Sequence, residues 1–189
     1  MRALSILFCT ALLTFVTGCG NRTNTTIPTY QNDSIVFFQV NDFFANQVGA
    51  VHKTPYYIYR TITVDGKTDS LPTSVNTFDS LAAIFLRYDI SNKAIKKYYK
   101  ESAFNDESTH SITLNYSTQN KDLPVQGVDV LLNQETQAVK RIFITLVENV
   151  HDTVFLYKLS WKSNENFSIA KSVTVGKEEK IQQTMVAWK

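Results

Sequence analysis

The sequence has little of several residue types on which common classes of protein depend. Its 189 residues include two cysteines, too few for the disulfide framework of a small secreted domain. Six glycines and four prolines exclude collagen-like and proline-rich repeats, and no phosphate-binding glycine loop is present. The formal net charge of +2 lacks the basic excess of a nucleic-acid-binding domain, so we expect no nucleic-acid partner.

Apolar and aromatic residues are plentiful. Hydrophobic residues make up 43% of the chain and aromatic residues 12%. This apolar content is too high for a disordered protein, and the length suits one domain with a tail. The composition therefore predicts a folded core and says nothing yet about an activity.

The N-terminus has the pattern of an export signal. Met1 and Arg2 precede a mostly apolar run from Ala3 to Val16. A single positive charge followed by such a run is typical of a secretory signal peptide, and the run is shorter than the roughly 20 residues of a membrane span. We predict a signal peptide over residues 1–18.

The end of this segment, Val16-Thr17-Gly18-Cys19, resembles the lipobox of bacterial lipoproteins. The resemblance implies that signal peptidase II cleaves between Gly18 and Cys19. It also implies a diacylglycerol on the Cys19 sulfur and a fatty acyl group, such as palmitate, on the new amine. Two or three acyl chains make a stable membrane anchor. Because Cys9 leaves with the signal, no thiol remains for catalysis or metal binding. The alternative is an ordinary secretory signal with a chance cysteine.

Residues 19–32 form a polar, almost uncharged segment, which we interpret as the lipidated cysteine and a flexible tether. The residue after the cysteine is Gly20 rather than the aspartate that favours inner-membrane retention in enteric bacteria. We therefore expect a cell-envelope location, at the outer membrane of a Gram-negative bacterium.

Residues 33–189 are predicted to form a single α+β domain. Apolar residues at helical spacing predict a first helix from Asp33, capped by Asn32 or Asp33, up to Pro55. A strand follows over Tyr56–Val64, then an Asp65-Gly66 hairpin turn and a return strand over Lys67–Leu71.

Two further helices are predicted before the pattern changes. One covers Asn76–Leu86 with Asn76 or Thr77 as its cap, and a short one runs from Ser91 or Asn92 to about Ser102. From Thr109 onward, six runs have the alternating period of strands, and Lys171 interrupts one of them. The short spacers between these runs favour antiparallel neighbours.

The predicted architecture has N-terminal helices packed on a curved, mainly antiparallel sheet of about six to eight strands. This element order resembles the cone-shaped nuclear-transport-factor-like fold and, more loosely, the half-barrel of bacterial lipoprotein carriers. Both are analogies of topology and imply no function.

Candidate chemistry is sparse. The three histidines, His52, His110 and His151, are far apart in sequence and fit surface positions, and no pattern indicates a catalytic residue, a metal site or a cofactor. Arg60 lies in the apolar phase of its strand, and together with Tyr57 and Tyr59 it is the candidate for a pocket. The alternative for Arg60 is a pairing with an acid, or a side chain that snorkels to solvent.

These observations favour a lipid-anchored envelope protein with a non-catalytic binding or structural role. Its partners would be the membrane, through the anchor, and an envelope protein or a hydrophobic ligand. Two alternatives stay open. One is a small enzyme with a cone-fold pocket, for which Arg60 and Asp129 are the candidate groups. The other is a carrier of lipids or lipoproteins, which needs an open apolar cavity.

Overall fold

The computed structural model describes residues 37–189, which contain two α-helices, a short 3₁₀ turn and one sheet of nine strands. The signal peptide predicted over 1–18, the lipobox, the tether and the caps Asn32 and Asp33 lie outside the described residues. The elements run α1 Val40–Lys53, β1 Ile58–Val64, β2 Lys67–Pro72, α2 Val75–Leu86, 3₁₀ turn Lys96–Tyr98, β3 Tyr99–Asp106, β4 Ser111–Thr118, β5 Val125–Asn133, β6 Val139–Val150, β7 Thr153–Lys162, β8 Asn166–Val175 and β9 Glu178–Trp188.

The sheet is fully antiparallel and open, with the strand order β2-β1-β9-β8-β7-β6-β5-β4-β3. Strands β3 to β9 form a meander, and β9 then pairs with β1, so that β2 and β3 are the two edges. The α+β class is confirmed, whereas the predicted count of six to eight strands is too low.

The predicted third helix over residues 92–102 is wrong. The chain there makes a turn, in which the Asn92 side chain accepts a hydrogen bond from the Ala94 N–H, and then enters β3. Strand β3 pairs with β4 along all eight residues. That ladder satisfies more backbone groups than a short isolated helix, which is marginal in water.

The first helix begins at Val40, later than predicted. Phe37 and Phe38 precede it, because the Phe38 N–H donates to the Tyr116 hydroxyl at 3.0 Å and the Phe37 ring packs on the Tyr116 ring. Tertiary contacts therefore replace the first predicted turn. The second helix is confirmed, but its cap is Ser74, whose Oγ accepts the Thr77 N–H at 3.2 Å.

The Asp65-Gly66 hairpin between β1 and β2 is confirmed, with φ of 50° and 74° at its two central residues. Positive φ at both positions is the requirement of a type I′ turn, which suits the twist of paired strands. The six strands predicted after Thr109 correspond to β4–β9.

Both helices pack on the same face of the sheet, which we call the helix-side face. The core between them is aromatic: Trp161 is fully buried and lies 5.3 Å from Phe44, 5.0 Å from Phe85 and 4.9 Å from Phe167 between ring centroids. Phe78 packs edge-on against Trp188 at 5.4 Å. Aromatic pairs of this kind contribute about 0.5–1.5 kcal/mol each beyond area burial, so this cluster fixes both helices on β7, β8 and β9.

A candidate binding cleft on the helix-side face

The helix-side face continues beyond the aromatic core, toward the opposite ends of β7, β8 and β9. Side chains alternate between faces along a strand, so the pairing register assigns each residue to a face. Two rows of cross-strand partners belong to the helix-side face here. One row is Tyr157–Lys171–Gln182–Val64, and the next is Phe155–Val173–Lys180. These seven side chains are half-buried or exposed, in contrast to Trp161 and Phe167 on the same face.

A cleft of about 430 Å³ opens in this area, between β8, β9 and β1, and is lined by Val64, Asp65, Lys171, Val173, Lys180, Ile181 and Gln182. Its volume falls within the range of small-ligand sites, about 300–1,000 Å³. The aliphatic side chains Val64 and Val173 supply an apolar part of the lining, and the two lysines supply positive charge.

Lys171 is the distinctive group of this cleft. Its Nζ lies 4.9 Å from the centroid of the Phe155 ring and 5.7 Å from that of Tyr157. No salt bridge joins it to a carboxylate within residues 37–189. An ammonium held on aromatic faces is oriented but keeps its positive charge, so it can still bind a carboxylate or phosphate oxygen.

A larger cleft, of about 550 Å³, lies near the end of β6 and includes Tyr88, Lys121 and Glu148 in its lining. The Glu148 carboxylate in this cleft is already paired, because its Oε1 accepts from Arg87 NH1 and from the Tyr88 hydroxyl, each at 2.8 Å. Burial, reinforced by the bond to Glu148, raises the pKa of Tyr88. This cluster ties the segment after α2 to β6 and therefore has a structural role.

The residues predicted to form a pocket are not brought together. Arg60 is on the helix-side face of β1, whereas Tyr59 and Tyr57 point to the other side and are 47% and 77% exposed. Four residues of extended strand, about 13 Å, separate Arg60 from Val64 at the cleft. The Nε atom of Arg60 is buried without a hydrogen-bond partner.

The other candidate groups lie apart from the cleft. Asp129 is on the opposite face of the sheet, where its carboxylate accepts from the Asn115 amide at 2.7 Å. The three histidines are exposed, and His52 pairs with Asp79 across the two helices at 2.7 Å. Within residues 37–189, no group of three potential metal ligands occurs.

Sequence reasoning missed the assembly of the cleft but contained one signal for it. Lys171 occupies the apolar phase of its strand, between Ile169 and Val173, where a lysine interrupts the pattern. The pattern alone did not show that Phe155 and Tyr157 lie next to it, since that depends on the β7–β8 register.

A comparison with protein-family models, with curated proteins and with solved structures found no match to this chain. No helix within residues 37–189 has the length and apolar character that crossing a membrane requires.

Proposed function

We propose that this chain is a lipid-anchored cell-envelope protein that binds an apolar ligand carrying an anionic group, without catalysing a reaction on it. The observation that carries the proposal is the placement of Lys171. Its ammonium rests on two aromatic rings at the border of an apolar cleft and has no acidic partner in the described domain. Such a site offers one charged contact and a surface for a hydrocarbon.

The lipobox residues Val16 to Cys19 supply the other half of the proposal. Lipidation of Cys19 would hold the domain at the outer membrane of a Gram-negative bacterium, through a tether over residues 19–32. Acyl chains with carboxylate or phosphate groups are abundant at that surface, so the location and the cleft chemistry agree.

We also propose that the sheet curves around its helices, in the manner of a cone or half-barrel. Long sheets twist and coil, and strongly twisted open sheets seldom stay flat at this strand number. The segment just before α1 reaches Tyr116 on β4 through Phe37, and α2 reaches Trp188 on β9 through Phe78, which supports a sheet bent over this layer.

The two alternatives make different demands on the same residues. An enzyme needs an acid, a histidine or an arginine in its pocket. Asp65 is the carboxylate among the cleft-lining residues, whereas Arg60 and Asp129 lie elsewhere. A lipid carrier would use the same cleft but would have to release its ligand to an acceptor membrane. Binding without turnover or transfer is the function that the geometry supports best.

Calorimetric titration of a soluble form that begins at Asn21 tests this proposal, with decanoate and its neutral analogue 1-decanol as ligands. We expect decanoate to bind more tightly than decanol, because only decanoate can pair with the Lys171 ammonium. Lys171→Met should weaken decanoate binding about tenfold, which corresponds to about 1.4 kcal/mol, and should leave decanol binding unchanged.

The matched control is Lys158→Met. Lys158 is an exposed lysine on β7, the strand of Phe155 and Tyr157, but on the opposite face of the sheet. Its replacement should leave both affinities unchanged. Failure of the unmodified protein to bind either compound, or an equal loss in the two lysine variants, would contradict the proposal.

A further inference from the structure

The edge strand β3 is open to pairing. Within residues 37–189 it has a strand neighbour on one side only, β4, and it runs for eight residues without a proline or a bulge in its register. Most of it is exposed, including Phe104 at 66%. The other edge, β2, is shorter and ends at Pro72, which cannot donate to a further strand. Proteins commonly protect their edges, and β3 lacks several of the usual devices.

Face membership limits how β3 can pair with a copy of itself. Tyr99, Glu101, Ala103 and Asn105 are on its helix-side face, and Lys100, Ser102, Phe104 and Asp106 are on the other face. Opposed residues in an antiparallel pair share a face, so only alternate registers continue the sheet. In such a symmetric pair one residue of β3 lies opposite its own copy, and the two-fold axis passes between these two copies.

We propose that two copies of this chain associate through β3, antiparallel and centred on Ala103. In this register Lys100 of each copy lies opposite Asp106 of the other, so that two pairs of unlike charges form. Glu101 lies opposite Asn105, and Ser102 opposite Phe104. The two Phe104 rings become diagonal neighbours, which covers the largest exposed apolar side chain of the strand.

The neighbouring registers fit less well. Centring on Ser102 places Lys100 opposite Phe104 and leaves Asp106 without an oppositely charged residue across the strand pair. Centring on Phe104 pairs fewer strand residues and sets Glu101 against Glu107 of the other copy, and like charges directly opposite each other are destabilising. Charge complementarity therefore selects Ala103 as the centre, and a second copy as the occupant of the edge.

This inference stands on β3 alone and does not depend on the ligand cleft, since Lys171, Phe155 and Tyr157 lie on strands remote from that edge. The association joins two nine-stranded sheets into one sheet with the helices of both copies on the same side. Loss of ligand binding and loss of association are therefore separate outcomes.

Cysteine cross-linking of the full-length protein in cells tests the proposal. Ala103→Cys places two thiols opposite each other across the two-fold axis, and we expect a dimer on a non-reducing gel after brief oxidation. Ser70→Cys, an exposed position on the other edge strand, is the matched control and should give at least fivefold less dimer. Equal cross-linking of both variants, or none in Ala103→Cys, would overturn the proposal.

Charge reversal tests the register with two differently tagged forms of Ala103→Cys. Lys100→Asp and Asp106→Lys each place like charges opposite each other in a homodimer, so each alone should cross-link at least threefold less. Expressed together, they regain two unlike pairs, and the mixed dimer should exceed both homodimers. A statistical mixture of the three dimers would refute the Ala103 register.

Discussion

Two buried tyrosines show how single residues connect the layers of this protein. The Tyr99 hydroxyl donates to the Val125 carbonyl at 2.8 Å, and the Tyr116 hydroxyl donates to Glu101 at 2.7 Å while accepting the Phe38 N–H. Burial raises the pKa of Tyr99 to about 12 and raises the pKa of Tyr116 further. Both side chains are therefore held in their neutral form, in which they donate these bonds.

The raised tyrosine pKa values predict a loss of stability in alkaline solution. In the unfolded chain a tyrosine ionises near pH 10, so above that pH the unfolded state has released protons that the folded state retains. The free energy of unfolding should therefore be constant with respect to these groups below pH 10 and should fall as the pH rises from about 10 to about 12.

Denaturant unfolding at several pH values between 9 and 11.5 measures this effect. Tyr99→Phe should reduce the alkaline slope, whereas Tyr57→Phe, at a 77% exposed position, should leave it unchanged. An identical slope in the Tyr99 variant and the parent protein would show that Tyr99 does not carry the linkage.

The elements differ in how far the sequence predicts them. Helix α2 has a continuous apolar face, Phe78, Ala82 and Phe85, and local pattern and tertiary packing agree there. Residues 92–102 also have helical spacing, but residues 92–98 form turns and residues 99–102 pair with β4 as part of a strand. The local sequence of that segment does not show that β4 pairs with it. The helix prediction was therefore wrong, because a long-range partner determines the structure there.

The cap of α2 provides a stability prediction for an element. Ser74→Ala removes the side-chain acceptor of the Thr77 N–H, and we expect the free energy of unfolding to fall by about 1 kcal/mol. Ser80→Ala in the same helix is the control, and we expect it to lower the free energy of unfolding less than Ser74→Ala. The Ser80 hydroxyl donates only to the Asn76 carbonyl of the preceding turn, and alanine has the higher helix propensity. Thermal or urea unfolding of the two variants compares them. A smaller effect at Ser74 than at Ser80 would be inconsistent with this capping role.

At the scale of the whole molecule, the hairpin β1–β2 joins the rest of the sheet through the last strand. Strand β9 pairs with β1, and the cleft combines residues of β1, β8 and β9, among them Lys171, whose ammonium contacts the aromatic rings of β7. The sequence showed that Lys171 interrupts the alternation of its strand, but it did not predict the neighbours of Lys171, because strand order and register are properties of the complete sheet. Arg60 lies on the opposite face from Tyr57 and Tyr59 for a local reason, because successive residues of a strand point to opposite faces.

The central proposal is that this domain acts at a membrane, to which a lipid on Cys19 would anchor it. Metabolic labelling with an alkynyl palmitate in a Gram-negative host tests it most directly, with each cysteine replaced in turn by serine. We expect label on the unmodified protein and on Cys9→Ser, since Cys9 would leave with the proposed signal peptide, and none on Cys19→Ser. An unlabelled parent protein, or label that persists in Cys19→Ser, would contradict the claim.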